Sequence, residues 1–363
     1  MLVDQVLLDF APEERARIAA HGPWPPQREP DLANAADGRP AAVRWGRQLF
    51  FDARLSSSGR QSCASCHNPG LAFQDGLATA RGQRVPGIRN TPGLLDVAQQ
   101  RWFGWDGATD SLWAASLAPL TAADELAATP QHVLALLARD RSLDAGYRRV
   151  FGAPEPGESL LVNIAKALAA YQATLVSPRT PFDEFRDALA RGDTAAAARY
   201  PAAAQRGVMI FVGAGRCFFC HAGPAFTNGE FGDVGRPFFT AAGVDPGRWG
   251  GLQQVLASPH NRLGAFSDAP RDDARAVATQ HVVQEPRHFG EFKVPGLRGL
   301  AATAPYFHDG SAATLDDVVR HYSELDESRL HADGARLLQA LKLTPQQSAD
   351  LAAFLKSLSP LWR

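Results

Sequence analysis

The sequence predicts a mainly α-helical protein built as two related halves with long irregular connections. Three observations predict it. Apolar residues recur with helical spacing in several segments, while alternating strand patterns are scarce. Glycine and proline are plentiful, at 32 and 26 of 363 residues, so the chain between helices must run in loops. One five-residue motif also occurs twice, once in each half. In chain order the helical segments are Ala41–Phe50, Ser111–Leu120, Pro130–Ala138, Leu160–Leu175, Pro181–Ala190, Pro201–Phe211, Leu315–Tyr322 and Thr344–Ser357. Several open on a capping residue or a proline at the first turn, as Thr180-Pro181 and Thr344-Pro345 do. A faint internal repeat supports the two halves. Gly46-Arg-Gln-Leu49-Phe50 precedes the first motif and Gly207-Val-Met-Ile210-Phe211 the second, and an aromatic residue follows each, Phe73 and Phe226. The polar stretch 177–193 marks the boundary, giving domains 1–180 and 181–363.

The repeated motif is Cys63-Ala-Ser-Cys66-His67 and Cys217-Phe-Phe-Cys220-His221, and it uses all four cysteines of the chain. C-x-x-C-H is the attachment signature of c-type haem. The two thiols add across the haem vinyl groups, and the adjacent imidazole turns onto the iron. Two intervening residues make a turn tight enough to set both sulfurs along one haem edge. The two halves therefore read as cytochrome-type domains with one covalent haem c each. A four-cysteine zinc site could use both pairs, but it does not need a histidine after each. A thioredoxin-like redox pair needs one motif in a βαβ setting, and a disulfide framework suits much shorter secreted chains.

Composition narrows the partners. Hydrophobic residues make up 45% and charged residues 21%, as in ordinary globular proteins. A net charge of −1 gives no global case for nucleic acid or an anionic membrane surface, though a local docking patch for a small redox partner is compatible with it. No apolar run has the length of a membrane span. The opening MLVDQVLLDFAPEERAR lacks the basic and apolar regions of a signal peptide.

Several motifs in fixed order resemble the bacterial dihaem cytochrome c peroxidase and MauG family. They are Leu49-Phe50-Phe51-Asp52-x-Arg54-Leu55-Ser56 ahead of the first haem motif, Arg89-Asn90-Thr91-Pro92, and Trp105-Asp106-Gly107. Phe292-Lys293-Val294-Pro295-x-Leu297-Arg298 and Ala304-Pro305-Tyr306-Phe307-His308-Asp309-Gly310 follow, so the likeness runs from about Trp45 to the C-terminus. The resemblance implies that His67 and His221 are the proximal haem ligands and that Trp105 lies between the haems as an electronic bridge. The plainer role for Trp105 is a core aromatic. It also implies a calcium ion held by Asn90, Thr303 and Pro305, a set of oxygen donors that suits a hard cation. A turn asparagine is the alternative for Asn90. Haem is attached to such motifs outside the bacterial inner membrane, so the expected location is the periplasm, with the leader already removed.

Within the family, the open axial positions separate two branches. The peroxidase branch places a methionine on the second haem. Here the methionines are Met1 and Met209, and Met209 precedes its own haem motif, where it is expected to pack in the core. Tyr322 stands at the distal-ligand position, as in the MauG branch, and an anionic oxygen ligand lowers the iron potential. A tyrosine packed beside the haem is the alternative, and His321 is a rival ligand. Helix neighbours point about 100° apart, so only one of the two can face the iron. His308 reads as a polar group near a haem edge. The stretch 73–82 contains no histidine to block the first haem, which is therefore expected to be open to peroxide. Glu125 aligns with the family's distal glutamate, the general acid/base for O–O cleavage; an ordinary exposed glutamate is the alternative. Two positions depart from the pattern: Ala115 replaces the usual distal glutamine, and Gly299 the usual asparagine. Arg298 and Lys293 are expected near haem propionates.

The expected activity is reduction of H2O2 at the N-terminal haem, with the oxidising equivalents shared through Trp105 with a His/Tyr-ligated second haem. The oxidised donor is a partner protein or a small donor. The alternatives are a peroxidase fed by a small redox protein, and a non-enzymatic dihaem electron carrier or peroxide sensor. Residues 212–216 hold no tryptophan for exit of the oxidising equivalent, leaving Trp102, Trp113 and Trp249 as candidates.

Overall fold

A computed structural model describes residues 6–82, 87–240, 243–330 and 338–360. Its helices are α1 (Pro12–Ala19), α2 (Pro40–Phe50), α3 (Cys63–Cys66), α4 (Leu112–Thr121), α5 (Pro130–Arg139), α6 (Arg141–Phe151) and α7 (Glu158–Gln172). They continue with α8 (Pro181–Ala190), α9 (Thr194–Ala197), α10 (Ala202–Val212), α11 (Arg248–Ala257), α12 (Ala274–His281), α13 (Leu315–Ser323) and α14 (Pro345–Ser357). Sheet structure among the described residues is two antiparallel pairs of two-residue strands. β1 (Phe231–Gly232) pairs with β4 (Phe292–Lys293), and β2 (Phe239–Thr240) with β3 (Gly243–Val244). The fold is mainly α, as the sequence predicts. The caps are where the sequence put them: Thr180 and Thr344 each accept an amide from the third residue of the helix that follows.

Apolar faces gather into two main cores. The first holds Trp45, Leu49, Phe50, Trp113, Leu117, Leu143 and Leu168, from α2, α4, α6 and α7. Helix α7 is buried almost all round, from Leu160 to Gln172, because its neighbours cover every face. The second core holds Phe182, Phe185, Phe211, Leu351 and Phe354, from α8, α10 and α14, with Phe226 from the turn after the second motif.

The faint repeat has a packing cause. A Cβ on Gly46 of α2 would lie 1.9 Å from the Ala167 carbonyl oxygen of α7. A Cβ on Gly207 of α10 would lie 2.1 Å from the Asp350 carbonyl oxygen and 2.7 Å from Phe354 Cβ of α14. Each core thus has one helix pair touching backbone to backbone at a glycine, just ahead of its haem motif. Gly207→Ala should lose about 1–3 kcal/mol of stability through overpacking, measured as a lowered midpoint in chemical denaturation.

The expected division at residue 180 falls between α7, in the first core, and α8, in the second. Segments cross it in both directions. Phe10 and Ile18 are buried in the second core, so the chain's start packs on its C-terminal half. In the other direction, Phe266 and Ala269 pack against the first core. Arg262 bonds Asp110 and Asp31, and Lys166 pairs with Asp268 at 2.6 Å.

Candidate functional site

The two C-x-x-C-H motifs share one local geometry. The first forms α3 and the second a 3₁₀ turn at Cys217–Phe219. In each, the histidine amide bonds the carbonyl of the first cysteine at 2.9 Å. His67 Nδ1 donates to the Phe73 carbonyl at 3.0 Å, and His221 Nδ1 donates to the Phe226 carbonyl at 3.0 Å. A carbonyl only accepts, so Nδ1 carries the proton in both rings and Nε2 is left as the lone-pair donor for a metal. Both aromatic residues sit at positive φ, 61° for Phe73 and 56° for Phe226, which curls each carbonyl back toward its histidine. Burial holds both histidine pKa values down, favouring the neutral ligand form. None of the four cysteines is in a disulfide, and burial pushes the Cys63 and Cys217 thiols up to about 12. Two cysteines outside any disulfide and a neutral, oriented imidazole in each motif are the donor set that covalent haem requires.

Beside the first motif stands Glu125. Helix α4 contains Pro119 and ends at Thr121, and the chain then folds back on it. Amides of Leu126 and Ala128 bond the carbonyls of Pro119 and Leu120 at 3.1 and 2.8 Å. Ser57, ahead of the first motif, bonds the Leu126 carbonyl at 2.9 Å and ties this turn to it. The Glu125 carboxylate lies close enough to Cys63 and Cys66 to push both thiols further up, after burial. Its own pKa is raised by the protein mass around it and then by Asp124. Ala115 is half-buried against the first core.

Beside the second motif stands Tyr322, half-buried on α13. Its hydroxyl pKa is raised by burial and then by the nearby Cys217 and Cys220. The adjacent His321 bonds the Val234 carbonyl through Nε2 at 2.7 Å and is engaged there. Met209 packs against the second core.

Trp105 sits where the halves meet. Its indole N–H donates to the Asn90 carbonyl at 2.9 Å, and its own carbonyl accepts from the Lys293 amide at 2.7 Å. Asn90 is buried, takes the His308 carbonyl through its amide at 2.7 Å and gives Nδ2 to the Leu77 carbonyl at 2.7 Å. That directs the amide nitrogen to protein and leaves Oδ1 as the donor oxygen. Thr303 and Pro305 are half-buried and flank Ala304, whose carbonyl accepts from Gln74 at 2.7 Å. Oxygen donors of this kind suit a hard cation.

The two residues expected near propionates, Arg298 and Lys293, are engaged by protein groups. Arg298 was expected at a propionate, but its guanidinium is spent in a buried pair with Asp183, at 2.8 and 2.9 Å, and on the Pro224 carbonyl. Lys293 is buried on Gln100 and the Trp102 carbonyl, and burial lowers its pKa to about 8. His308 stacks on Phe292 at 3.4 Å, and burial lowers its pKa to about 4. The sequence reading gave no role to Arg89, which pairs with Asp106 at 2.6 Å and Asp245 at 2.7 Å beside Trp105. Nor did it find Arg248, whose guanidinium lies between the rings of Trp102 and Phe231 at 4.3 and 3.9 Å. Position in the Arg89-Asn90-Thr91-Pro92 motif was an available signal for Arg89; Arg248 carried none. Of the other tryptophans, Trp113 is fully buried, Trp102 is buried and Trp249 is half-buried.

Among the described residues, no helix is long and apolar enough to cross a membrane. The family model described as di-haem cytochrome c peroxidase matches residues 40–191. The methylamine utilization protein MauG of Methylorubrum extorquens is 36% identical over 320 residues, covering 88% of this chain and 78% of that protein. Cytochrome-c peroxidase IdrP1 of Denitromonas iodatirespirans is 35% identical over 354 residues, covering 95% and 87%. Among solved structures, a MauG-like protein associated with microbial copper homeostasis superposes with a TM-score of 0.69 at 26% identity, covering 94% and 96% of the two chains.

Proposed function

The chain belongs to the di-haem cytochrome c peroxidase and MauG family, and from that premise we propose that it reduces H2O2 at the haem of its N-terminal half and shares the oxidising equivalents, through Trp105, with a haem held by His221 and Tyr322. As a member of that family it is a peroxidase-type oxidoreductase with two haem c groups. The bound haems supply the redox chemistry. The protein's residues supply position, proton transfer and asymmetry between the two centres.

One observation carries the reading: the two motifs are alike on their histidine side and different in the group that stands near their cysteines. A carboxylate with a raised pKa lies by the first, and a phenol by the second. Glu125 takes a proton from the near oxygen of peroxide and returns it to the far one as the O–O bond breaks. Tyr322 offers an oxygen to the second centre, while His321 is occupied by Val234. The Asn90 carbonyl fixes the Trp105 indole between the two halves. Calcium at Asn90, Thr303 and Pro305 would brace the same junction. The domains are 1–180, peroxide-reacting, and 181–363, charge-sharing. The donor is a partner protein or a small molecule, and the location is the periplasm.

A second reading keeps the same first-haem chemistry but draws electrons from a small redox protein, because both MauG and cytochrome-c peroxidase stand among the relatives. The test adds one equivalent of H2O2 to the fully oxidised holoprotein. Loss of both ferric EPR signals, with a new near-infrared charge-resonance band, is the expected result. Reaction only after half-reduction would replace the first reading with the second.

A further inference from the structure

Behind His221 lies a residue that the haem motifs do not account for. His21 follows α1 and is 2% exposed. Its Nδ1 donates to the Gly223 carbonyl at 3.0 Å, and its ring stacks on Phe226 at 4.5 Å and 6°. Gly223 and Phe226 are the two ends of the turn whose last carbonyl holds His221 Nδ1. We propose that His21 is a positioning residue for the second haem: it grips both ends of this turn, aligns the Phe226 carbonyl on His221, and so lowers the potential of that haem. The inference rests on His221 being the axial ligand.

The physical chain is short. A strong Nδ1–H···O=C bond gives the imidazole more anionic character, which favours the ferric state. The carbonyl's direction depends on Phe226 staying at φ 56°, an unfavourable conformation for a bulky residue. Something outside the turn must hold it there. Phe182 and Phe211 meet the Phe226 ring edge-on, Phe354 is tilted to it and the Arg298 guanidinium lies over it at 5.7 Å, while His21 is the one aromatic ring stacked flat on it among the described residues. At the first motif Phe73 packs against the first core and its one aromatic-ring partner among the described residues is Phe50, edge-on at 6.2 Å. Stability alone does not explain an imidazole here, because its Nε2 is buried without a hydrogen-bond partner among the described residues. A phenylalanine would fill the space with no such cost. Burial holds the His21 pKa down to about 4, so the ring is neutral and its one proton sits on Nδ1.

The test uses two holoprotein variants: His21→Phe keeps the ring and removes the donor, and His21→Asn keeps the donor and removes the ring. Haem content is measured first, then the midpoint potentials of both haems and the low-spin EPR signal. An upward shift of the second haem in either variant, with the first unchanged, is the expected result. Unchanged potentials in both variants, or equal shifts at both haems, would overturn the proposal. His221→Gly separates the premise: if it leaves the second haem's EPR signal as in the parent, His221 is not the ligand, and the premise fails rather than the role of His21 alone.

Discussion

Glu125→Gln should slow the reaction of the oxidised protein with H2O2 by about 10²–10⁴-fold, the usual contribution of a positioned acid/base group. Both haem absorption spectra should be retained. Glutamine keeps the volume and hydrogen-bonding reach but cannot shuttle a proton. The pH profile gives an independent check. The pKa of Glu125 is raised by burial and by Asp124. The group works as the carboxylate, so the rate falls as pH falls through that raised value, at higher pH than an ordinary glutamate would show. Stopped-flow traces of the variant should lack this limb. Undiminished rates would assign proton transfer elsewhere, and Ala115, which has no polar side chain, cannot be the substitute.

Tyr322→Met should raise the potential of the second haem by a few tenths of the roughly 0.8 V that axial ligation spans and abolish the near-infrared band. Replacing an anionic oxygen with a neutral thioether withdraws the stabilisation of the ferric state. In exchange, the variant should accept electrons from a small cytochrome more readily, moving the protein toward the peroxidase reading. Spectroelectrochemical titration measures the potential directly. An unchanged value would mean that the Tyr322 phenol only packs beside the haem. The engagement of His321 with Val234 makes a histidine substitute at that iron an unexpected outcome.

The sequence was most legible where chemistry is local. C-x-x-C-H names its cofactor in five residues, and the capped helices begin within a residue or two of where Thr180, Thr344 and Ser111 place them. Helices α6 and α11 were hidden by glycines, which read as loop punctuation. In the fold those glycines are contact points: a Cβ on Gly146 of α6 would lie 2.2 Å from the Trp45 ring, and one on Gly251 of α11 would lie 2.1 Å from the Asp106 carbonyl. The remaining failures are matters of distance along the chain. Arg298 looked free for a propionate because Asp183 is 115 residues away, and His21 drew no notice because Gly223 is 202 residues away. No periodicity encodes such pairs.

The crossing of the N-terminal segment sets the order in which the molecule can be finished. Phe10, Ile18 and His21 precede their partners in α8, α10 and the Gly223–Phe226 turn by long stretches of chain, 202 residues between His21 and Gly223. Contacts of such long sequence separation close slowly. The first core can assemble early, while the leading strip of chain waits beside it for the far end. Closing that loop completes the second core with residues that lie ahead of the first. A chain cut at the nominal boundary would leave the second haem motif without the histidine at its back.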